Sequence, residues 1–225
     1  MTLLERLPQE SDRSYALRTI KENIINLGLA PGSQISESAI CKQIGLSRTP
    51  VREALIELSQ SKIVKIIPQK KGTVALIDYD LVEEAWFMRN VLECAVVELD
   101  CELAAPESLR RLEENLKLQR LYAEDYNIQM LMELDNQFHA LLFSIARKSQ
   151  IYEMMQNMLI HFDRVRRMVL GRTKDFIIVE DHEQILEAIR HRNAARAKQL
   201  MQVHLSRYKH DIKEVLKDYP EYLEK

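Results

Sequence analysis

Apolar residues recur three and four positions apart over most of this chain, which is the spacing of one face of an α-helix. Leu17, Ile20, Ile24 and Leu27 form one such series, and others follow from Leu81 onward. A β-rich chain of 225 residues would need many turns, yet the sequence contains only five glycines and six prolines. The sequence therefore predicts a mainly α protein, with one large domain or two small ones.

The sequence also argues against a membrane or exported protein. No apolar run approaches about 18 residues, so we expect no transmembrane helix. The opening residues MTLLERLPQESDRS carry acids and lack the apolar stretch of a signal peptide. Cys41, Cys94 and Cys101 are odd in number and fit no zinc-ligand spacing, so they are expected to be reduced cysteines. These features predict a cytoplasmic protein.

Charge divides the chain into two parts. Residues 1–77 hold 11 Lys+Arg and 7 Asp+Glu, a net charge of +4. Residues 78–225 hold 21 against 27, a net charge of −6. A basic first part and an acidic second part predict two domains with different partners.

The first part begins with three short helices. One is expected over residues 12–27. Ser36 is suited to cap a second helix that Gly45 ends, because serine accepts a bond at a helix start and glycine adopts the left-handed turn at a helix end. Ser47 is suited to cap a third helix, whose apolar stripe begins at Val51. The second and third helices, joined by GLS, predict a helix-turn-helix.

A hairpin follows these helices. Two β-branched runs, residues 63–67 and 73–77, flank a turn that contains proline, lysines and glycine. The hairpin would make the unit a winged helix-turn-helix. In that geometry the second helix of the pair enters the major groove with its N-terminal residues toward the bases.

The start of the third helix concentrates hydroxyls and cations, namely Ser47, Arg48, Thr49 and Arg52. Arg48 and Arg52 are four residues apart and share a helix face. Cations at a helix N-terminus oppose the macrodipole, which is easier to explain if an anion such as a phosphate lies there. The alternative is a solvated face on a small protein-binding module.

The segment SRTPVREAL, preceded by LAPGSQISESAICKQIGL and followed by KKGTV, carries a family resemblance. Over about residues 10–77 it resembles the N-terminal winged helix-turn-helix of the GntR superfamily of bacterial transcription regulators. The resemblance implies that Arg48 and Arg52 contact DNA. It further implies that Ser47 and Thr49 contact backbone phosphates.

The same resemblance implies DNA contacts from the wing and the second helix. Gly72 is implied to lie at the wing tip, where Lys71 beside it makes the wing basic. Related proteins often carry an arginine near the start of the second helix, and Ser38 stands there in this sequence. We expect Lys42 to replace that contact.

Residues 78–225 show only helical patterns, and we expect six antiparallel helices with short loops, which form a bundle. The fourth helix is expected over residues 151–170 and the sixth over 194–217. The segment LIDYD is the expected linker. The predicted domains are therefore a DNA-binding domain at 1–77 and a helical, dimerising domain at 78–225.

Four potential metal ligands lie on inward faces of these helices by periodicity, namely Asp135, His139, His182 and His204. Inward imidazoles and a carboxylate need a partner, because a buried charge without one is costly. A divalent cation would serve, with Zn²⁺ preferred and Ni²⁺ or Mn²⁺ as alternatives. Core histidines and a hydrogen-bonded Asp–His pair are the other explanation. The remaining histidines show no such pattern and are expected at the surface: His161, His191 and His210.

Asp-x3-His, a histidine before ILEAI and a histidine near the C-terminus resemble the FCD ligand-binding domain of the FadR-type branch, over about residues 80–215. The resemblance implies a metal held by these four ligands at the bottom of a cavity for small organic acids. It makes a fatty acyl-CoA effector unexpected, since the branch that binds it lacks the ligands. Arg89 is implied to bind an effector carboxylate, with Arg164 and Arg167 as further candidates. Salt bridges to bundle glutamates are the alternative for these arginines.

The sequence therefore predicts a ligand-responsive DNA-binding transcription regulator that is a repressor, a homodimer and no enzyme. One helix-turn-helix buries little surface, so two-fold partners usually read two half-sites. Two alternatives are a metal-dependent hydrolase, with Glu183 as its best candidate base, and a helical adaptor that does not bind DNA.

Overall fold

The computed structural model describes residues 1–66, 72–170, 177–207, 212 and 217–224. The chain forms two compact units. Met1–Val82 and Asp218–Lys225 make the first, and Glu83–Lys217 makes the second. This division differs from the predicted boundary after residue 77 mainly at the C-terminal end, because residues 218–225 belong to the first unit.

Within the described residues, the first unit holds a winged helix-turn-helix of three α-helices and three strands, together with a 3-10 helix at Pro220–Tyr222. Its elements, in chain order, are α1 (Asp12–Ile25), β1 (Gln34–Ile35), α2 (Glu37–Ile44), α3 (Arg48–Gln60), β2 (Val64–Lys65) and β3 (Gly72–Val74). Helix α3 packs against both α1 and α2. The stripe Val51, Ala54 and Leu58 of α3 is buried, as its spacing predicted.

The predicted helix ends follow from local chemistry. The side chain of Ser36 accepts a hydrogen bond from Ala39 N and so caps α2. Gly45 ends α2 with φ of 71°, in the left-handed region that glycine adopts without strain. Ser47 occupies the cap position of α3, but its side chain makes no capping hydrogen bond.

The sheet has one strand more than the predicted hairpin. Strands β2 and β3 pair antiparallel as expected, and β1 pairs antiparallel with the other edge of β3, giving the order β1-β3-β2. Gln34 pairs with Thr73. A strand of two residues leaves too short an alternation to detect from sequence, so β1 was not predicted.

The C-terminal segment returns to the first unit. Ile77 and Leu223 form a parallel bridge, in which Ile77 N donates to Tyr222 O at 2.7 Å. Glu224 N donates to Ile77 O at 3.0 Å. These backbone bonds explain why the last residues belong to the winged unit.

The second unit is a helical bundle. Its helices are α4 (Tyr79–Leu103, whose first four residues lie in the first unit), α5 (Pro106–Glu124), α6 (Ile128–Ile145), α7 (Ser149–Met155), α8 (Ile160–Leu170), α9 (Ile177–Arg190) and α10 (Ala194–Ser206). Helix α5 packs on α6 and α9, and α9 packs on α10. In the described ranges no helix combines the length and the hydropathy needed to cross a bilayer.

One predicted helix is corrected, and the end of another is not tested. The single helix expected over 151–170 is two helices, α7 and α8, separated by a turn in which Met158 N donates to Met155 O. Neither glycine nor proline marks this break. The last helix is described to Ser206, and most of residues 208–217 lie outside the described residues.

Candidate functional site

The predicted DNA-binding residues of helices α2 and α3 are exposed to solvent. Ser47, Arg48, Thr49 and Arg52 are all exposed, and Lys42 on α2 is exposed as well. Because Ser47 makes no cap bond, its hydroxyl is not engaged at the helix start. The surface therefore presents cations and hydroxyls where a helix N-terminus also offers backbone N–H groups to an anion.

Gly72 is placed differently from the expectation for the wing. Gly72 is the first residue of β3 and pairs with Ile35 of β1, so it lies half-buried in the sheet and not at an exposed tip. Lys71 lies outside the described residues.

Four residues of the helical unit form one buried cluster. Asp135 and His139 come from consecutive turns of α6, His182 comes from α9 and His204 from α10. One candidate ligand atom from each lies within 4.8 Å of the others. All four side chains are buried, with His182 fully so. The predicted ligands are thus brought together by three helices.

The ring nitrogens of the cluster face one another. His182 Nε2 lies 3.3 Å from His204 Nε2 and 3.8 Å from Asp135 Oδ1. His139 Nε2 lies 3.7 Å from Asp135 Oδ2. Phe138 stacks on the ring of His182 with centroids 4.1 Å apart, which fixes the plane of that imidazole.

Each imidazole also has an outer neighbour at its Nδ1 atom. His182 Nδ1 is hydrogen-bonded to Gln119 Oε1 at 2.9 Å. His139 Nδ1 lies 2.6 Å from Glu93 Oε2. His204 Nδ1 lies 3.5 Å from Asp181 Oδ2. Outer oxygen partners of this kind orient metal-binding histidines in proteins.

Arginines neutralise the three carboxylates around the cluster. Arg89 Nε donates to Glu93 Oε1 at 2.6 Å. Arg207 donates to Asp181, and Arg166 NH2 lies 3.3 Å from Asp135 Oδ2. Buried charges persist when they are paired in this way.

The protonation states suit cation binding. Burial raises the pKa of Asp135, but Arg166, His139 and His182 outweigh burial and hold that pKa below its ordinary range. Burial lowers the pKa of His139, and burial with the neighbouring His204 lowers that of His182 well below its ordinary value. Burial raises the pKa of Glu93, yet Arg89 and His139 bring it down to about 2. Neutral imidazoles and an ionised carboxylate are the forms that bind a metal.

The unmet polar atoms of the cluster also fit a cation. Among the described residues, Asp135 Oδ2 and His139 Nε2 are buried and have no hydrogen-bond partner. Two ligands of one ion stand at most about 4.2 Å apart when each bond is about 2.1 Å long. The donor atoms lie within 4.8 Å of one another, slightly beyond that limit, so small side-chain movements would bring all four onto one ion. The residues present therefore fit a divalent ion.

The arginines that the sequence proposed for an effector are not equivalent. Arg89 is buried and forms an ion pair with Glu93, as the salt-bridge alternative held. Arg164 is fully buried, with NH2 2.7 Å from His161 Nδ1, and burial lowers its pKa to about 10. Arg167 is half-buried, and burial lowers its pKa too.

Sequence reasoning missed Arg166, an arginine of α8 that contacts the cluster residue Asp135. Besides its ion pair with Asp135, it donates to Asn136 Oδ1 at 2.6 Å and to Asp163 Oδ1 at 3.2 Å. Residues 160–165 are all buried, so α8 has no single inward face from which periodicity could have selected Arg166.

Two further expectations are settled by burial. His161 was expected at the surface but is buried on α8, for the same reason that α8 is covered on most sides. His191 is exposed as predicted, and His210 lies outside the described residues.

Glu183, the candidate base of the hydrolase alternative, is partly exposed and paired with Arg120 at 2.7 Å, and it makes no ion pair with the cluster histidines.

The winged helix-turn-helix and the helical unit belong to the class of DNA-binding transcription regulators, as two family models show. The model described as bacterial regulatory proteins, gntR family, matches residues 15–74, and the FCD domain model matches residues 84–207. The chain belongs to the GntR family of transcription regulators with an FCD domain, and it is a regulator and not an enzyme.

Relatives of similar length carry regulator names. The HTH-type transcriptional repressor RspR of Escherichia coli K12 is 28% identical over 209 residues, covering 92% of each chain. An HTH-type transcriptional regulator of Bacillus subtilis, YdhC, is 29% identical over 205 residues, covering 88% of this chain and 90% of that protein.

Solved structures show the same fold. E. coli McbR/YncC matches with a TM-score of 0.80 at 19% identity, covering 94% of this chain and all of that one. A GntR regulator from Rhodococcus sp. RHA1 matches with a TM-score of 0.75 at 23% identity, covering 91% and 99%. At these identities the likeness concerns the fold alone.

Proposed function

We propose that this regulator binds one divalent metal ion per chain through Asp135, His139, His182 and His204, and that its operator affinity responds to a small organic acid. The observation that carries the metal proposal is the buried convergence of four ligand atoms within 4.8 Å. Zn²⁺ is the first candidate for three imidazoles and a carboxylate, with Ni²⁺ or Mn²⁺ as alternatives.

The proposed DNA contacts come from the start of α3. Arg48 and Arg52 are exposed on a helix face offset from the buried stripe, so they can reach base edges without disturbing the core. The hydroxyls of Ser47 and Thr49 are exposed beside them and suit backbone phosphates. Lys42 on α2 is the expected further phosphate contact, and Lys71 remains proposed for the wing.

The effector chemistry follows from the charges at the cluster. A bound metal would supply an acceptor position for a carboxylate or hydroxyl oxygen. Arg166 is the cation nearest to the ligand carboxylate, and Arg89 stands behind Glu93. A small carboxylate is therefore the proposed effector class, with Arg166 added to Arg89, Arg164 and Arg167 as candidate contacts.

Repression and dimerisation are also proposed. RspR, which resembles this chain over most of its length, is named a repressor. Two copies would present two helix-turn-helix units to neighbouring half-sites and so bury enough surface for specific binding. An effector that couples to the DNA-binding units by about 1–3 kcal/mol would change operator affinity roughly 5- to 150-fold.

Elemental mass spectrometry of untagged protein tests the metal proposal. Wild type should carry about one transition-metal ion per chain, because the donor set is complete and buried. His139→Ala should lose it, whereas His191→Ala, which changes an exposed histidine outside the cluster, should keep it. A folded wild type that takes up no metal from a zinc, nickel or manganese buffer would exclude the site.

The regulatory proposal is tested on DNA. A duplex selected from random sequence by the metal-loaded protein serves as the probe, and fluorescence anisotropy measures its affinity. Small carboxylates should change that affinity in wild type but not in His139→Ala. If neither metal removal nor any carboxylate alters the affinity, the effector proposal fails and the DNA-binding unit stands.

A further inference from the structure

Gln119 on α5 links the metal-ligand cluster to a buried chain of hydrogen bonds. Asn115 Nδ2 donates to Leu134 O at 3.0 Å, and Gln119 Nε2 donates to Asn115 Oδ1 at 2.7 Å. The chain ends where Gln119 Oε1 meets His182 Nδ1 at 2.9 Å. Asn115, Gln119 and His182 are all buried, with Gln119 only 1% exposed.

The direction of each bond follows from the carbonyl at the start of the chain. A backbone carbonyl can only accept, so Asn115 must present its amide N–H group to Leu134 O. The oxygen of Asn115 then faces Gln119, which must present its own N–H group there. The oxygen of Gln119 is left to face His182, and an oxygen can only accept from the ring.

The tautomer of His182 is fixed as a result. A neutral imidazole carries one N–H and one lone pair, so a hydrogen on Nδ1 leaves the lone pair on Nε2. Nε2 is the atom that faces His204 Nε2 at 3.3 Å and Asp135 Oδ1 at 3.8 Å. Phe138 holds the ring plane by stacking, but stacking does not distinguish the two nitrogens.

We infer that Gln119 is a positioning residue that sets the metal-binding tautomer of His182, although α5 contributes no ligand. The series of hydrogen bonds starts at Leu134, the residue before Asp135, and ends at His182. Helix α5 therefore connects the backbone next to one proposed ligand with the side chain of another. This inference rests on the proposed metal site and goes beyond it by naming the residue that aims one of its ligands.

The test combines tautomer and affinity. The imidazole ¹⁵N shifts of metal-free protein, measured by NMR at mildly alkaline pH, report which nitrogen carries the hydrogen, and the chain has only six histidines to assign. Wild type should show His182 with hydrogen on Nδ1. Gln119→Met, which removes the acceptor at similar size, should move hydrogen to Nε2 and weaken Zn²⁺ binding by about 10- to 100-fold.

Two further variants separate positioning from general destabilisation. Gln119→Glu also disturbs the contact with Asn115, but a carboxylate still accepts from Nδ1, so the wild-type tautomer should persist. Gln184→Met makes the same replacement at an exposed position of α9, two residues from His182, and should change neither tautomer nor affinity.

The outcomes distinguish the two proposals. A wild type that binds no Zn²⁺ refutes the metal site, while the tautomer measurement still tests the bond to Gln119. Wild-type binding with an unchanged tautomer or unchanged affinity in Gln119→Met overturns the inference and leaves the metal site intact. If Gln119→Met does not fold, loss of the Nδ1 tautomer in Gln119→Glu overturns the inference.

Discussion

The guanidinium of Arg166 lies 3.3 Å from Asp135 Oδ2, so the carboxylate of the proposed metal site already faces a cation. Asp135 is buried and could not remain ionised there without such a partner. The same guanidinium also bonds to Asn136 and Asp163, which ties α8 to α6. A metal ion bound at the proposed site would therefore share this carboxylate with Arg166.

Removing this cation should strengthen metal binding. In Arg166→Gln the positive charge beside the site is gone, so a divalent ion meets less repulsion and no competitor for Asp135. We expect affinity for Zn²⁺, measured by competition with a chromogenic chelator, to rise about tenfold, or about 1.4 kcal/mol. Arg111→Gln, an exposed arginine of α5, is the control and should change little. A weaker affinity in Arg166→Gln would show that the guanidinium orients Asp135 for the metal.

Metal removal should destabilise the helical unit. A ligand that binds only the folded state adds about 2.7 kcal/mol at a concentration one hundred times its dissociation constant. Dialysis against a chelator should therefore lower the melting temperature of wild type by several degrees, and restored Zn²⁺ should reverse the change. His139→Ala should melt at the same temperature with and without Zn²⁺. An equal response in both proteins would place the effect outside the cluster.

Local chemistry made much of the fold predictable. Ser36 and Gly45 bound α2 because capping and left-handed turns depend on residue type at one position. The break between α7 and α8 was not predictable in the same way, because no glycine or proline interrupts the apolar pattern there. Strand β1 forms because it pairs with β3. This long-range contact cannot be predicted from the two residues of the strand.

The membership of the cluster could be predicted on a helix with one buried face. The contact of Arg166 with the cluster could not. Asp135 and His139 are one turn apart, so periodicity alone places them together on α6. Helix α8 is buried on most of its circumference. Periodicity therefore cannot distinguish Arg166 from Arg164 and Arg167. The outer partner Gln119 lies 63 residues from His182, and only the folded chain brings the two together.

Loss of a base-reading arginine should weaken operator binding. Arg52→Ala should cost about 1–3 kcal/mol and relax sequence preference if the guanidinium contacts a base edge. Lys42→Ala should weaken binding to all sequences alike and reduce the slope of log affinity against log salt by about one. Arg13→Ala is the control, because that exposed arginine of α1 already pairs with Glu57. Anisotropy titrations over a range of salt that show equal affinity for Arg52→Ala and Arg13→Ala would contradict the proposed interface.

Asp100 should make the stability of the protein fall as pH rises. Its side chain is fully buried on α4, neither carboxylate oxygen has a hydrogen-bond partner in the described structure, and burial raises its pKa from 3.8 to about 8. At a pH between 3.8 and about 8, Asp100 is ionised in the unfolded chain and keeps its proton in the folded chain. Folding then takes up a proton, so the free energy of unfolding decreases with increasing pH by about 1.4 kcal/mol per unit.

Asp100→Asn keeps the shape of the side chain and removes the ionisation, so it should abolish this part of the pH dependence. Urea unfolding at about pH 6 and about pH 8 should show the variant gaining on wild type by at least about 2 kcal/mol at the higher pH. Asp125→Asn, at an exposed carboxylate that ends α5, should follow wild type at both values. Parallel pH profiles for wild type and Asp100→Asn would mean that the buried carboxyl stays ionised, and hence that it gains a partner in solution.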